Sequence, residues 1–164
     1  MKARRAARLA GLLLWLGFGL VVSGCGKQSS VNKPPEIAFG MDACDECRMI
    51  INEARFAAAF RDKEGKAYRF DDIGCMLQYL KKHPVEPAGL WVKDYRTEAW
   101  LPFVGAWFVE SKELPTPMAY GIVALADSTE ASKIASQFHG RQLNSRQLLS
   151  EANITLRETM EEVQ

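Results

Sequence analysis

One order of signals occurs twice in this chain, and that recurrence constrains the fold more than any other feature. First, residues 49–62 suit a strand, Lys63-Glu64-Gly65-Lys66 offers a turn with glycine where positive φ is needed, and Ala67-Tyr68-Arg69-Phe70 alternates as a returning strand. Asp71-Asp72 can cap a helix in which Ile73, Met76, Leu77 and Leu80 recur at the i, i+3, i+4, i+7 spacing. Lys81, Lys82 and His83 suit the C-terminal end of that helix, Pro84 stops it, and residues 90–95 read as a further strand. The order then returns. Residues 106–111 and 118–126 read as strands, Asp127-Ser128 caps a helix over 129–138, and Arg141-Gln142-Leu143 reads as a short last strand. An amphipathic helix over 145–161 closes the chain. The expected class is α+β, with two tandem ββαβ units at 36–100 and 101–164 and a C-terminal helix.

The N-terminus bears on location. Lys2, Arg4, Arg5 and Arg8 precede an apolar run over 9–22, and Val22-Ser23-Gly24-Cys25 follows. This is the pattern of an export signal over residues 1–24. The run falls short of the ~20 residues that span a bilayer, so cleavage rather than retention is expected. Val22-Ser23-Gly24-Cys25 resembles a bacterial lipobox, which makes Cys25 the lipidated first residue of the mature chain. The expected product is a periplasm-facing lipoprotein, and Gly26, in place of an inner-membrane Asp, points to the outer membrane. Residues 25–35 are polar and Pro-rich and read as a flexible tether, with a reach of roughly 15–20 Å. Loss of the four signal-segment cations leaves 17 of 21 basic residues against 20 acidic ones, a net charge of about −3. No basic stripe remains, so nucleic acid is not an expected partner.

Sulfur is concentrated in one place. Ala43-Cys44-Asp45-Glu46-Cys47-Arg48-Met49 carries the pattern Cys-x-x-Cys-x-Met. Thiolate and thioether are soft ligands that suit Cu(I). On an extended segment Cys47 and Met49 would share a face, with Cα atoms roughly 6.5 Å apart. A thiol-redox pair is a second reading, although such pairs sit at a helix N-terminus after a strand, and Met49-Ile50-Ile51 follows here. Zinc is a third, although it takes four N or S ligands, and the chain has no second Cys pair or His-x-His cluster. A small structural disulfide is a fourth. Of four cysteines, lipidation would use Cys25, leaving Cys44, Cys47 and Cys75. An odd number cannot all pair within one chain, so at least one thiol stays free or holds metal. Cys75 and Met76 sit on or beside an apolar helix stripe and read as core. Met118 follows Pro117 at a strand start, where it can face the cleft between units. His83 and His139 each end a helix and are assigned no role.

Together, the lipobox, Cys44-x-x-Cys47-x-Met49, Phe70-Asp71-Asp72 running into a helix with Cys75-Met76, and Pro117-Met118-x-Tyr120-Gly121-Ile122-Val123-Ala124 resemble the NosL family. These are accessory lipoproteins of bacterial nitrous-oxide reductase, and the resemblance covers nearly all of the chain after the signal. It implies a Cu(I) chaperone rather than an enzyme, supplying copper for the reductase's catalytic copper–sulfide centre beside an ABC-type maturation complex. It implies a tandem ββαβ fold like that of the organomercurial lyase MerB. It also implies Cys47 and Met49 as ligands, with Met118 completing the set from the second unit. Cys44 is then a second thiolate, a shield for Cys47, or its disulfide partner in the oxidised apo form. The alternatives are a thiol–disulfide redox protein using Cys44 and Cys47, an adaptor that docks the maturation complex, and MerB-like carbon–mercury cleavage by fold analogy. The last needs a carboxylate beside paired thiols, for which Asp45 is a loose candidate.

Overall fold

The computed structural model describes residues 31–156; Cys25, the signal and most of the tether lie outside them. The described residues form an α+β fold with two antiparallel sheets and three α-helices. β1 (Ala58–Asp62) and β2 (Ala67–Phe70) make the expected hairpin, with Gly65 in its turn at φ 83°. α1 (Ile73–Lys82) begins at Asp72, whose carboxylate accepts the Gly74 N–H at 2.8 Å, a cap worth about 1 kcal/mol over alanine. β3 (Pro87–Lys93) returns to β1, and β4 (Trp100–Pro102) pairs with β3, giving the order β2-β1-β3-β4. The divide expected at residue 100 falls inside β4. The second unit repeats the order with β5 (Trp107–Glu110), β6 (Ile122–Leu125), α2 (Ser128–Gln137) and β7 (Arg141–Asn144), in a sheet ordered β6-β5-β7. Asp127 caps α2 through the Thr129 and Glu130 N–H groups. α3 (Ser145–Glu151) follows β7 directly, opened by a capping box between Asn144 and Gln147.

Three expectations are corrected. The strand expected over 49–62 is strand only from Ala58, after a 3₁₀ turn over Ala54–Phe56. Residues 49–51 instead fold back on 40–44: Gly40 N–H bonds Ile51 C=O at 2.9 Å, Ile51 N–H bonds Asp42 C=O at 2.9 Å, and Cys44 N–H bonds Met49 C=O at 2.8 Å. β6 starts at Ile122 rather than at 118, because Ala119 (φ 58°) and Gly121 (φ 68°) turn the chain first. The last helix ends at Glu151 and is followed by Asn153 at φ 55°; residues 157–161 of the expected helix lie outside the described residues. No helix among the described residues is long and apolar enough to cross a membrane.

The second sheet serves two cores. Side chains alternate along a strand, and β6 sends Ile122 and Ala124 to one cluster and Val123 and Leu125 to the other. The smaller cluster packs that sheet on α2 through Ala131, Ile134 and Ala135, and Phe56 of the first unit joins it. The larger one gathers Phe60, Phe70, Ile73 and Met76 with Phe103, Phe108, Leu143 and Leu149. Met76 is fully buried there, as expected of a core methionine. Cys44 and Cys75 belong to this same cluster.

Candidate metal centre

β2 delivers the chain into α1, and the two residues between them face different ways. Asp72 caps the helix. Asp71 accepts a hydrogen bond from the Cys47 thiol, at 3.4 and 3.6 Å to its two oxygens. Cys75 lies in the first turn of α1, so it comes to the same place from the helix side. The Cys44–Cys47 turn comes from the other side, with Asp45–Cys47 in the turn and Arg48 at φ 67°. The result is a compact donor set: Cys44, Cys47, Asp71 and Cys75 each offer one ligand atom, all within 4.8 Å of one another. Cys44, Asp71 and Cys75 are buried, and Cys47 is half-buried. All three thiols are free of disulfide.

Their protonation is set by who donates to whom. The Cys75 thiol donates to Cys44 Sγ, and the backbone N–H groups of Cys47 and Asp71 also point at that sulfur. These outweigh burial and hold Cys44 down from 9.0 to about 7. Cys75 is pushed up, first because it gives its proton to Cys44 and then by burial. Burial pushes Cys47 up from 9.0 to about 11, against the Met49 N–H that donates to its sulfur. The apo site thus holds one ready thiolate, Cys44, and two proton-bearing thiols. A metal must displace those protons, so affinity rises with pH. Well above its value of about 7 Cys44 is mostly thiolate, whereas Cys47 and Cys75 still carry protons. Between about pH 8 and 9 the logarithm of the Cu(I) affinity should climb by about two per pH unit if three thiols bind, and by about one if only Cys44 and Cys47 do. Below pH 7 the slope should steepen by about one more, as Cys44 takes up its proton. Competition against a chelator of known pH dependence reads these slopes.

The sequence-derived candidates divide. Cys44 and Cys47 are in the cluster. Met49 is 57% exposed, and its backbone serves the turn, donating to Cys47 Sγ and accepting from Cys44 N–H. Cys47 and Met49 do not share an extended segment, since a turn and a left-handed Arg48 stand there. Met118 lies in the turn before β6, half-buried against the cluster that contains Cys44 and Cys75, with its N–H on Asp72 Oδ2 at 3.2 Å. Two residues further on, Tyr120 lies over the start of α1, so close that a Cβ at Gly74 would stand 2.0 Å from the ring carbon Cγ. Asp45 gives its carboxylate to the Arg69 N–H of β2, at 2.8 Å, and is not among the clustered donors.

Asp71 and Cys75, read from sequence as cap and core, are the residues that sequence reasoning missed. Two signals pointed to them: the odd third thiol, and its place one helical turn after the first of two aspartates that follow a strand. They also remove an argument against zinc. Three thiolates and a carboxylate make four ligands of kinds that zinc accepts, so the site chemistry alone admits either metal. Three soft donors in a largely dry pocket suit Cu(I) as well.

The crystal structure of the copper chaperone NosL from Shewanella denitrificans resembles this one with a TM-score of 0.59 at 16% identity, over 68% of this chain and 92% of that one. At that identity the likeness establishes the shared fold. No curated protein matches the sequence. The NosL family model matches residues 38–152, which spans both sheets and the whole donor cluster, and the chain belongs to the NosL family.

Proposed function

We propose that this chain is a Cu(I) carrier, anchored by lipid on Cys25 to the outer membrane and facing the periplasm. Its cargo is copper for the catalytic copper–sulfide centre of nitrous-oxide reductase, passed on beside an ABC-type maturation complex. The observation that carries the reading is the set of three thiols and one carboxylate within 4.8 Å in a NosL-family chain. Three soft donors bind Cu(I) tightly, and one of them, Cys47, is only half-buried, which gives a partner a route to the ion. Asp71 beside the thiols also supplies the carboxylate that carbon–mercury cleavage would need, but the family match is to chaperones rather than enzymes, and that favours the carrier reading.

One observation favours the redox alternative: a Cys-x-x-Cys thiol held at about 7 is what a disulfide oxidoreductase uses. Cys44 is fully buried, however, and the pair sits in a turn rather than at a helix N-terminus. A nucleophile that no substrate disulfide can reach does not exchange. Cells lacking the protein should export folded nitrous-oxide reductase that is deficient in its copper–sulfide centre, and copper added to the medium should partly restore it. Reductase with normal copper, alongside impaired thiol oxidation in other exported proteins, would establish the redox reading instead.

A further inference from the structure

The two residues between the cysteines are not donors, yet both reach out of the turn. Asp45 N–H bonds Arg69 C=O at 2.8 Å, and the Asp45 carboxylate accepts Arg69 N–H at 2.8 Å. β2 is the outer strand of its sheet, and an outer strand leaves such groups unpaired. Asp45 therefore docks the turn onto the open edge of β2, two residues before Asp71. The Arg69 side chain extends the attachment. Its Nε bonds Glu36 C=O at 2.6 Å and lies 3.3 Å from the Asp42 carboxylate, which also accepts Ala38 N–H at 2.9 Å. Glu46 reaches the opposite way and pairs with Lys82 in the last turn of α1. The Glu46 side chain is only 12% exposed, so solvent shields this pair less than an open surface pair.

We propose that Asp45 and Glu46 are positioning residues for the metal, which clamp the Cys44–Cys47 turn to the β2 edge and to the end of α1. The two clamps fix the spacing of Cys44 and Cys47 over Asp71 and Cys75. This rests on the reading of the cluster as a copper site. A donor set drawn from a turn, a strand end and a helix start has no common backbone to keep its spacing. The clamps supply that frame, tying the turn to the elements that carry Asp71 and Cys75. Partners that orient ligands in this way typically account for 10–100-fold in metal affinity.

The test is a Cu(I) titration of the reduced full-length chain against a competing chelator, with the copper off-rate and the apo unfolding midpoint measured in parallel. Asp45→Ala and Glu46→Ala should each weaken Cu(I) by about 10–100-fold and speed its release, with the apo midpoint nearly unchanged. Asp45→Asn keeps an oxygen for the Arg69 N–H and should recover most of the affinity. The charge-swapped pair Glu46→Lys with Lys82→Glu re-forms the clamp and should recover it too, and affinity lost at an unchanged apo midpoint is what a merely structural role would not give. Wild-type binding matched within about two-fold by both alanine variants overturns the proposal. So does a loss confined to an unfolded Asp45→Ala, with Glu46→Ala neutral. If the wild-type chain itself takes no Cu(I), the copper reading fails first and this one falls with it.

Discussion

Cys75→Ser should lower Cu(I) affinity by more than about 100-fold, beyond what loss of an orienting partner alone costs. Serine is close to cysteine in volume, and its hydroxyl can still donate to Cys44, so the fold and the Cys44 thiolate should persist. What is lost is a soft donor within 4.8 Å of the other three. Zinc affinity should fall as well, since a hydroxyl is a poor substitute for a thiolate at zinc. Met49→Leu and Met118→Leu are the comparison. Each conserves volume at a core cost under ~1.5 kcal/mol, and each should weaken Cu(I) less than Cys75→Ser while leaving the fold intact. An unchanged affinity in Cys75→Ser would return Cys75 to the core role suggested by its sequence position. An unchanged affinity in Met118→Leu would mean that its half-buried thioether is packing only.

Gly121→Ala should be strongly destabilising. Gly121 stands at φ 68°, and a Cβ there would lie 2.0 Å from the Ser111 carbonyl oxygen. Ser111 N–H is bonded to Gly121 C=O at 2.9 Å, so the two backbones cannot separate without opening the end of the β5–β6 hairpin. The left-handed conformation alone costs an alanine roughly 1–2 kcal/mol. With a backbone clash added, the loss should exceed ~3 kcal/mol and lower the unfolding midpoint by roughly 10 °C or more. Gly40→Ala is the control: its φ is 80°, but nothing lies within 4 Å of the added carbon, so only the conformational cost applies. Equal unfolding midpoints for the two variants would refute the clash. Gly121 N–H also bonds Thr116 Oγ1 at 3.0 Å, so the same change loosens the turn that presents Met118 to Asp72.

The sequence was most legible where the determinants are local. Asp72 and Asp127 each cap a helix from the adjoining residue, Gly65 closes a hairpin between its two strands, and the α1 stripe follows its own period. Each needs no more than a few neighbouring residues to take effect. The start of β1 was misread because residues 49–51 pair with 40–44, a choice fixed by the left-handed Arg48 and not by strand propensity. The donor cluster was half legible for a related reason. Cys44 and Cys47 declare themselves by spacing, whereas Asp71 and Cys75 join them through tertiary contacts, among them the docking of Asp45 on the β2 edge. That contact joins residues 24 positions apart. Charge and apolar pattern say nothing of it.

The alternation along β6 carries a last consequence, for the independence of the halves. Both units follow one plan, yet Ile122 and Ala124 complete a core begun by Phe60 and Phe70, while Phe56 crosses to the core beneath α2. Asp94, directly after β3 of the first unit, accepts Ala126 N–H at 2.8 Å. Neither half can be excised without stripping apolar surface from the other. A fragment ending after β4 would keep all three thiols and Asp71 but lose the wall behind them. The duplication is one of pattern and not of autonomy, so the molecule is gained or lost as a whole.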